Sequence, residues 1–260
     1  MFVRRHIKNQ PERSLSIGNA GDLLNTYLLR KLFPLAKLNP STKGRSQKLF
    51  LIGSTIDKAE KGDVIFGAGV WYPERTNIFY KDLRVFGLRG PRTYDLLKKM
   101  GVDLKDVKFM IDPGVIAARI YESETKEQKG SNNRLLYIPH HAHRIKNIRP
   151  RIDADFFDID CKPEDFLGAI FKSSGVLTSS LHALIIANTF GIPAVLFSNT
   201  ESMFKFYDYA DSVSLNLKIF AEPQLINYSD IPDSAFELKK SLTDNFEINE
   251  SDLLANGVAY

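Results

Sequence analysis

Apolar residues along this chain fall into two rhythms that take turns. Short unbroken apolar runs at 48–52, 64–66, 84–88 and 108–111 have strand length, and several close on Gly or Pro. Elsewhere apolar residues recur at the spacing of one helix face. Leu24, Tyr27, Leu28 and Leu32 predict a helix over 23–32 that halts before Pro34. Pro91 suits the first turn of a second helix continuing over 93–100, with Gly101 as its cap. The alternation resumes later in the chain. Strands at 135–138, 155–159, 176–178 and 194–197 intersperse with helices at 163–172 and 181–190, the latter capped by Gly191.

Strands alternating with helices predict an α/β architecture of parallel sheets covered on both faces. Residues 119–133 interrupt that pattern. The stretch 121–133 is polar throughout and has almost nothing to bury, so it reads as an interdomain linker, with a surface helix as the alternative. The expectation is therefore two Rossmann-like parallel-sheet domains, 1–118 and 134–260, with a cleft between them. Residues 211–260 mix apolar and acidic positions and suit closing helices or an interaction surface equally well.

With 43% hydrophobic and 25% charged residues the composition is that of a globular chain, neither disordered nor membranous. The longest apolar runs, 183–187 and 192–197, are far too short to span a bilayer. No apolar segment follows the charged start, so no signal peptide is expected. A single cysteine, Cys161, excludes an internal disulfide framework and fits a reducing compartment. The expected location is the cytoplasm, with peripheral contact at the inner membrane face as a variant. A net charge of +4 reflects either a few extra surface lysines or a mild attraction to anions such as phosphorylated substrates and lipid-linked sugars. Nucleic acid is not expected as a partner, because no run of five basic residues occurs and the aromatics sit in apolar segments.

Open parallel sheets bind ligands beyond the carboxyl ends of their strands. Five such loops carry unusual residues: Gly67-Ala68-Gly69, Arg89-Gly90-Pro91-Arg92, Asp112-Pro113-Gly114, His140-His141-Ala142-His143-Arg144 and Ser179-Ser180-Leu181-His182. His182 opens an apolar helix just after two serines, Ser179 and Ser180, that suit capping. A helix N-terminus bares backbone N–H groups and partial positive charge, which favour a phosphate or carboxylate. That field disfavours an imidazolium in the free protein, whereas a bound multiply charged anion favours it, so His182 is poised to exchange a proton when substrate arrives. Position alone fits a buried, hydrogen-bonded histidine equally well. Arg89 and Arg92 bracket a Gly-Pro turn, and guanidinium forks match carboxylate and phosphate oxygens. An ordinary surface salt bridge suits either arginine taken singly.

Other chemistries find little support. His140, His141 and His143 lack metal-ligand spacing and an acidic or cysteine partner, so no metal is expected. Gly18-x-x-Gly21-Asp22 has neither the G-x-G-x-x-G nor the phosphate-loop spacing, so no nucleotide cofactor is expected. It either lets the backbone approach a ligand, with Asn19 and Asp22 at the mouth, or forms a tight turn and helix cap. No G-x-S-x-G elbow supports a serine hydrolase.

The order of these segments resembles the polysaccharide pyruvyl transferase family. The carriers are Asn19-x-Gly21-Asp22, Gly67-Ala68-Gly69, Leu88-Arg89-Gly90-Pro91-Arg92-Thr93 and Asp112-Pro113. The most specific is Ser179-Ser180-Leu181-His182-Ala183-Leu184 running to Gly191-Ile192-Pro193, and Lys205-Phe206-x-Asp208-Tyr209 also fits. The resemblance implies a two-domain arrangement like the GT-B glycosyltransferases, with phosphoenolpyruvate bound in the cleft. It also implies a pyruvate ketal as product, formed on a polysaccharide or lipid-linked glycan acceptor, with His182 as the catalytic residue. On that reading His140 or His141 faces His182 from the second domain, Arg89, Arg92 and the N–H groups near Ser180 hold the donor's anionic groups, and neither metal nor nucleotide is needed. There is one departure. Many members carry an arginine two residues before that histidine, where Ser180 stands here. Either a serine subgroup exists, or Arg89, Arg92 or Arg144 substitutes, or the donor differs. The rival functions are a nucleotide-sugar glycosyltransferase on the same plan and a non-catalytic glycan-binding relative.

Overall fold

The computed structural model describes residues 16–32, 48–76, 82–140, 149–199, 202–236 and 238. It contains two separate parallel sheets. The first, in spatial order β1-β2-β3-β4, is built from β1 (Leu49–Phe50), β2 (Val64–Phe66), β3 (Arg84–Leu88) and β4 (Phe109–Met110). The second, in order β6-β5-β7-β8-β9, is built from β5 (Leu135–Ile138), β6 (Asp155–Phe156), β7 (Gly175–Thr178), β8 (Ala194–Phe197) and β9 (Ile219–Phe220). Six α-helices are described: α1 (Ala20–Leu32), α2 (Pro91–Lys99), α3 (Gly114–Glu124), α4 (Pro163–Lys172), α5 (Leu181–Phe190) and α6 (Phe204–Val213).

The two-residue repeat of the strands sorts their side chains between layers. Val64 and Phe66 enter a core shared by both sheets, while Ile65 joins Val85 and Leu97 in a second cluster on the outer face of the first sheet. In the second sheet Leu136 and Ile138 face the shared core, and Tyr137 joins Leu177 and Phe197 on the far side. The sheets are thus bridged by helices that belong to one continuous core. Helix α5 is at its centre. Every residue of α5 except His182 is buried, the pattern of a helix apolar on all sides.

Two helices join the sheets to one another. The expected linker at 119–133 begins inside α3, whose Val115, Ala117 and Ala118 are fully buried against the shared core. Alanines give a weak apolar stripe, but they let helices approach closely, and Gly114 Cα lies within a methyl's reach of Ile185 on α5. The polar stretch beyond α3 is itself tied down: the N–H groups of Gly130 and Asn132 donate to the carbonyls of Phe171 and Lys172. The second joining helix is α6, which follows β8 of the second sheet yet packs on α2 of the first. A Cβ on Gly90 would lie 1.9 Å from the Asp208 carbonyl oxygen, so only glycine admits this crossing. No helix among the described residues is long and apolar enough to cross a membrane.

Candidate active site

The N-terminus of α1 is fastened to the second sheet's lobe. Asn19 bridges to Asp160, and Ala20 N–H donates to the Ile159 carbonyl at 2.9 Å. The Asp160 carboxylate accepts from the backbone N–H groups of Ser16, Ile17 and Gly18 and from the Ser16 hydroxyl, at 2.7–2.8 Å. Burial alone would push this carboxyl up; these hydrogen bonds outweigh it and bring the pKa down to about 2. Asn19 is buried, and its side-chain oxygen accepts from Gly21 N–H at 3.1 Å.

This clasp brings the start of α1 against the start of α5. A Cβ on Gly21 would lie 2.1 Å from Nδ1 and 2.6 Å from Cγ of His182, so the imidazole rests directly on the Gly21 backbone. Ser180 caps α5, accepting from Ala183 N–H at 3.5 Å, and is itself buried. Ser179 is buried beside it and accepts from the His140 backbone N–H at 2.8 Å. That bond ties the end of β5 to the start of α5. The His140 ring meets Trp71 edge-on at 6.2 Å between centroids, and Trp71 comes from the loop after β2. His182, Gly21, His140 and Trp71 are therefore gathered beyond the carboxyl ends of both sheets, where such folds bind ligands.

The charges around this point fall into three sets. Asp22 is exposed at the start of α1; desolvation of its carboxyl by the surrounding protein pushes it up to about 6, against the pull of Lys58 and Lys205. Lys205, on α6, is only 5% exposed. Burial and the neighbouring Arg89 lower its pKa to about 8, with Asp22 acting in the other direction. Its ammonium lies 4.5 Å from the Trp71 ring centroid and 4.8 Å from that of Phe206.

Both arginines of the Gly-Pro turn make ion pairs with α6. Arg89 is fully buried and each of its guanidinium nitrogens donates a hydrogen bond: Nε to Asp208 at 3.0 Å, Nη2 to the Val70 carbonyl at 2.6 Å, and Nη1 to the Ser54 hydroxyl. Asp208 also accepts from Thr93 N–H at 2.9 Å and from the Thr93 hydroxyl at 2.6 Å. The Arg-Gly-Pro-Arg-Thr segment is thus a socket for α6: Arg89 and Thr93 grip Asp208, and Gly90 makes the space. Arg92 pairs with Asp211 at 2.6 Å and stacks over Tyr207 at 4.9 Å, an exposed contact on the outside of the same joint. Gly67 and Gly69 lie against protein on the side where a side chain would project. A Cβ on Gly67 would lie 2.2 Å from Pro113 Cγ, and one on Gly69 would lie 2.3 Å from Arg89 Cζ, so both yield space to protein. His141 and Arg144 lie outside the described residues.

One further group at the strand ends is Asp112. It is fully buried; one carboxylate oxygen accepts from Gly114 N–H at 2.8 Å, and the other has no partner among the described residues. Burial pushes its pKa up to about 6. Among the described residues no group of three His, Cys, Asp or Glu side chains could hold a metal ion. A recess of about 480 Å³ beside α4, lined by Tyr121, Phe156 and Glu164 among others, contains none of the residues above. Two of its charged groups are paired, Asp155 with Arg134 and Lys172 with Glu127.

Two parallel sheets, each built with interspersed helices, define the class, an α/β protein of two Rossmann-like units. Within that class the chain belongs to the polysaccharide pyruvyl transferase family, which residues 19–201 match. An uncharacterized protein of Acanthamoeba polyphaga mimivirus is 26% identical over 204 residues, 74% of this chain and 69% of that protein. The succinoglycan biosynthesis protein ExoV of Rhizobium meliloti (strain 1021) is 26% identical over 215 residues, 77% of this chain. That match spans 63% of ExoV, less than two thirds of its length. A crystal structure of a functionally uncharacterized protein from Klebsiella pneumoniae superposes with a TM-score of 0.49 at 14% identity, covering 80% of this chain and 91% of that one.

Proposed function

We propose that this chain moves the pyruvyl group of phosphoenolpyruvate onto a sugar of a polysaccharide or lipid-linked glycan as a ketal. The observation that carries the reading is the seat of His182. In a family named for pyruvyl transfer, the single accessible residue of a buried helix is an imidazole at its N-terminus, pressed on a glycine whose neighbour in the chain is the Asp22 carboxyl.

The reaction balances without further reagents. A proton adds to the methylene carbon of phosphoenolpyruvate and makes the adjacent carbon electrophilic. One sugar hydroxyl forms a C–O bond there and gives up its proton. A second hydroxyl then forms the other C–O bond as the C–O bond to phosphate breaks, and inorganic phosphate leaves with the second proton. His182 is the group for the proton transfers, a role worth about 10²–10⁴-fold in rate. His140 shares that work from the end of β5. Asp22, with its carboxyl shifted toward neutrality, suits the acceptor side, where a hydroxyl must be bound and deprotonated. The N–H groups at the start of α5 stabilise the departing phosphate.

The test combines phosphoenolpyruvate with glycan acceptors and follows phosphate release together with the mass of the acceptor. His182→Ala should lower turnover by about 10²–10⁴-fold and leave the melting temperature near that of the native protein. Turnover within a few-fold of native would remove His182 from the chemistry. Stabilisation of the protein by nucleotide sugars and not by phosphoenolpyruvate would instead favour a glycosyltransferase.

A further inference from the structure

Helix α4 presents two different faces. Phe166, Leu167, Ile170 and Phe171 enter the shared core. Glu164, Asp165, Gly168, Ala169 and Lys172 fall together on another flank by helical spacing, and that flank is one wall of the recess of about 480 Å³ beside α4. Its volume is that of a small-molecule site, commonly about 300–1,000 Å³. The small residues Gly168 and Ala169 leave a gap in the middle of the flank. Tyr121 reaches into it from α3: its ring packs on Phe171 and Phe190, and a Cβ on Gly168 would lie 2.7 Å from its hydroxyl.

The fold leaves several polar groups of this lining unused. Among the described residues the Tyr121 hydroxyl and the Asn132 side-chain amide make no hydrogen bond, and Glu164 and Asp165 make no ion pair. A place in the first turn of α4 accounts for the two carboxylates through the helix dipole. It does not account for a phenol and an amide in the same recess. Phe156 completes the lining from the edge strand β6; Arg149 covers its ring at 4.3 Å, yet the side chain is 41% exposed. Hydroxyl, amide and carboxylate groups beside an open aromatic side chain suit a sugar ring. The polar groups meet its hydroxyls, and the electron-rich aromatic face meets its C–H groups.

We infer that this recess is a second glycan site, which holds a neutral sugar unit of the polysaccharide away from the reacting one. The inference rests on the reading that a glycan is the acceptor. Charge narrows the ligand. Glu127, Asp155, Glu164 and Asp165 line the recess against a single basic residue, Lys172, among the described residues. Such a lining disfavours an anionic sugar. A pyruvate ketal carries a carboxylate, so unmodified units are held in preference to modified ones. Position fits as well. Helix α4 begins just after Asp160, which clasps the start of α1, and its ten residues rise by about 15 Å. A polymer lying along this flank runs toward the end of the molecule where Gly21 carries His182.

Saturation-transfer NMR on the whole chain, without phosphoenolpyruvate, tests the site. The probes are neutral oligosaccharides of glucose, galactose, mannose or rhamnose, hexuronate oligosaccharides, and spermidine as an organic cation. Ala169→Gln fills the gap with a good helix former, and Glu164→Gln with Asp165→Asn removes two exposed carboxylates. At least one neutral oligosaccharide should bind more tightly than any hexuronate. Ala169→Gln should weaken it by about tenfold and melt close to the native protein; the double variant should narrow the preference over hexuronate. In turnover assays Ala169→Gln should raise KM for a polymer acceptor and leave kcat and the KM for a single-unit acceptor unchanged. Binding of spermidine alone, no neutral oligosaccharide bound, or affinities that neither variant alters would overturn the site. Intact turnover with an unoccupied recess leaves pyruvyl transfer standing. Glycan binding that Ala169→Gln weakens, without turnover of phosphoenolpyruvate on any glycan, would sink the transfer reading and keep the site.

Discussion

Replacing Gly21 by alanine isolates the contact on which the site depends. Gly21 is the second residue of α1 and does not adopt a positive φ, so its backbone accepts any residue. Alanine is about 1 kcal/mol better than glycine within a helix, and a helix with no neighbour would gain from the change. Here the new methyl would fall 2.1 Å from His182 Nδ1 and 2.9 Å from its Cβ. Reaching an ordinary contact of roughly 3.5 Å requires the ring to retreat by more than about 1 Å. The imidazole Cβ is close to the backbone and leaves little slack, so the ring must turn or α1 must lift. Overfilling a packed contact costs about 1–3 kcal/mol, and the helix gain offsets part of it. The net loss of stability should be on the order of 1 kcal/mol. A misplacement of about 1 Å costs on the order of 10²-fold in rate. Gly21→Ala should therefore lose far more activity than stability, measured as phosphate release and as a melting curve on the same sample. A variant with native turnover and a raised melting temperature would refute the contact between Gly21 and His182.

Two more outcomes follow from the charges. Arg89→Met leaves Asp208 buried without its cation, which should cost about 3–5 kcal/mol and lower the melting temperature by on the order of 10 °C; a loss within 1 °C would show that the joint is not held by this pair. The pH dependence separates Lys205 from Asp22. The pKa of Lys205 is 10.5 when free and about 8 when folded, so between those values the unfolded chain binds more protons and its contribution to stability rises with pH. Asp22 moves from 3.8 to about 6, so between those values the folded chain holds more protons and its contribution falls as pH rises. Urea titrations of the native protein, Lys205→Met and Asp22→Asn at several pH values should show each variant flattening its own window, and the same slope in all three would contradict both assignments.

Much of the framework was legible in the sequence. The strands 64–66, 84–88, 135–138 and 194–197 and the helices 163–172 and 181–190 have the bounds that the apolar runs and their caps imply. Ser180 and Gly191 begin and end α5 as local chemistry requires, the one by its hydroxyl and the other at φ 65°. His182 was visible for the same reason, as a polar residue at the capped start of an apolar helix. Helix α3 was less visible because its buried face is alanine and valine, and the polar turns that follow mask it. Lys205, Trp71 and Asp112 carried one available signal, position after a strand or inside a family segment, but each looked ordinary without knowledge of its burial.

The sequence by itself determined the local elements, their alternation and the presence of a histidine at a helix N-terminus, because caps, breakers and periodicity act over a few residues. Only the tertiary structure decided what each charge is for. Arg89 and Asp208 are 119 positions apart in the chain and 3.0 Å apart in space, and that meeting turns an expected substrate arginine into the anchor of α6. Desolvation and pairing depend on what the folded chain brings close, and no spacing along the sequence encodes them.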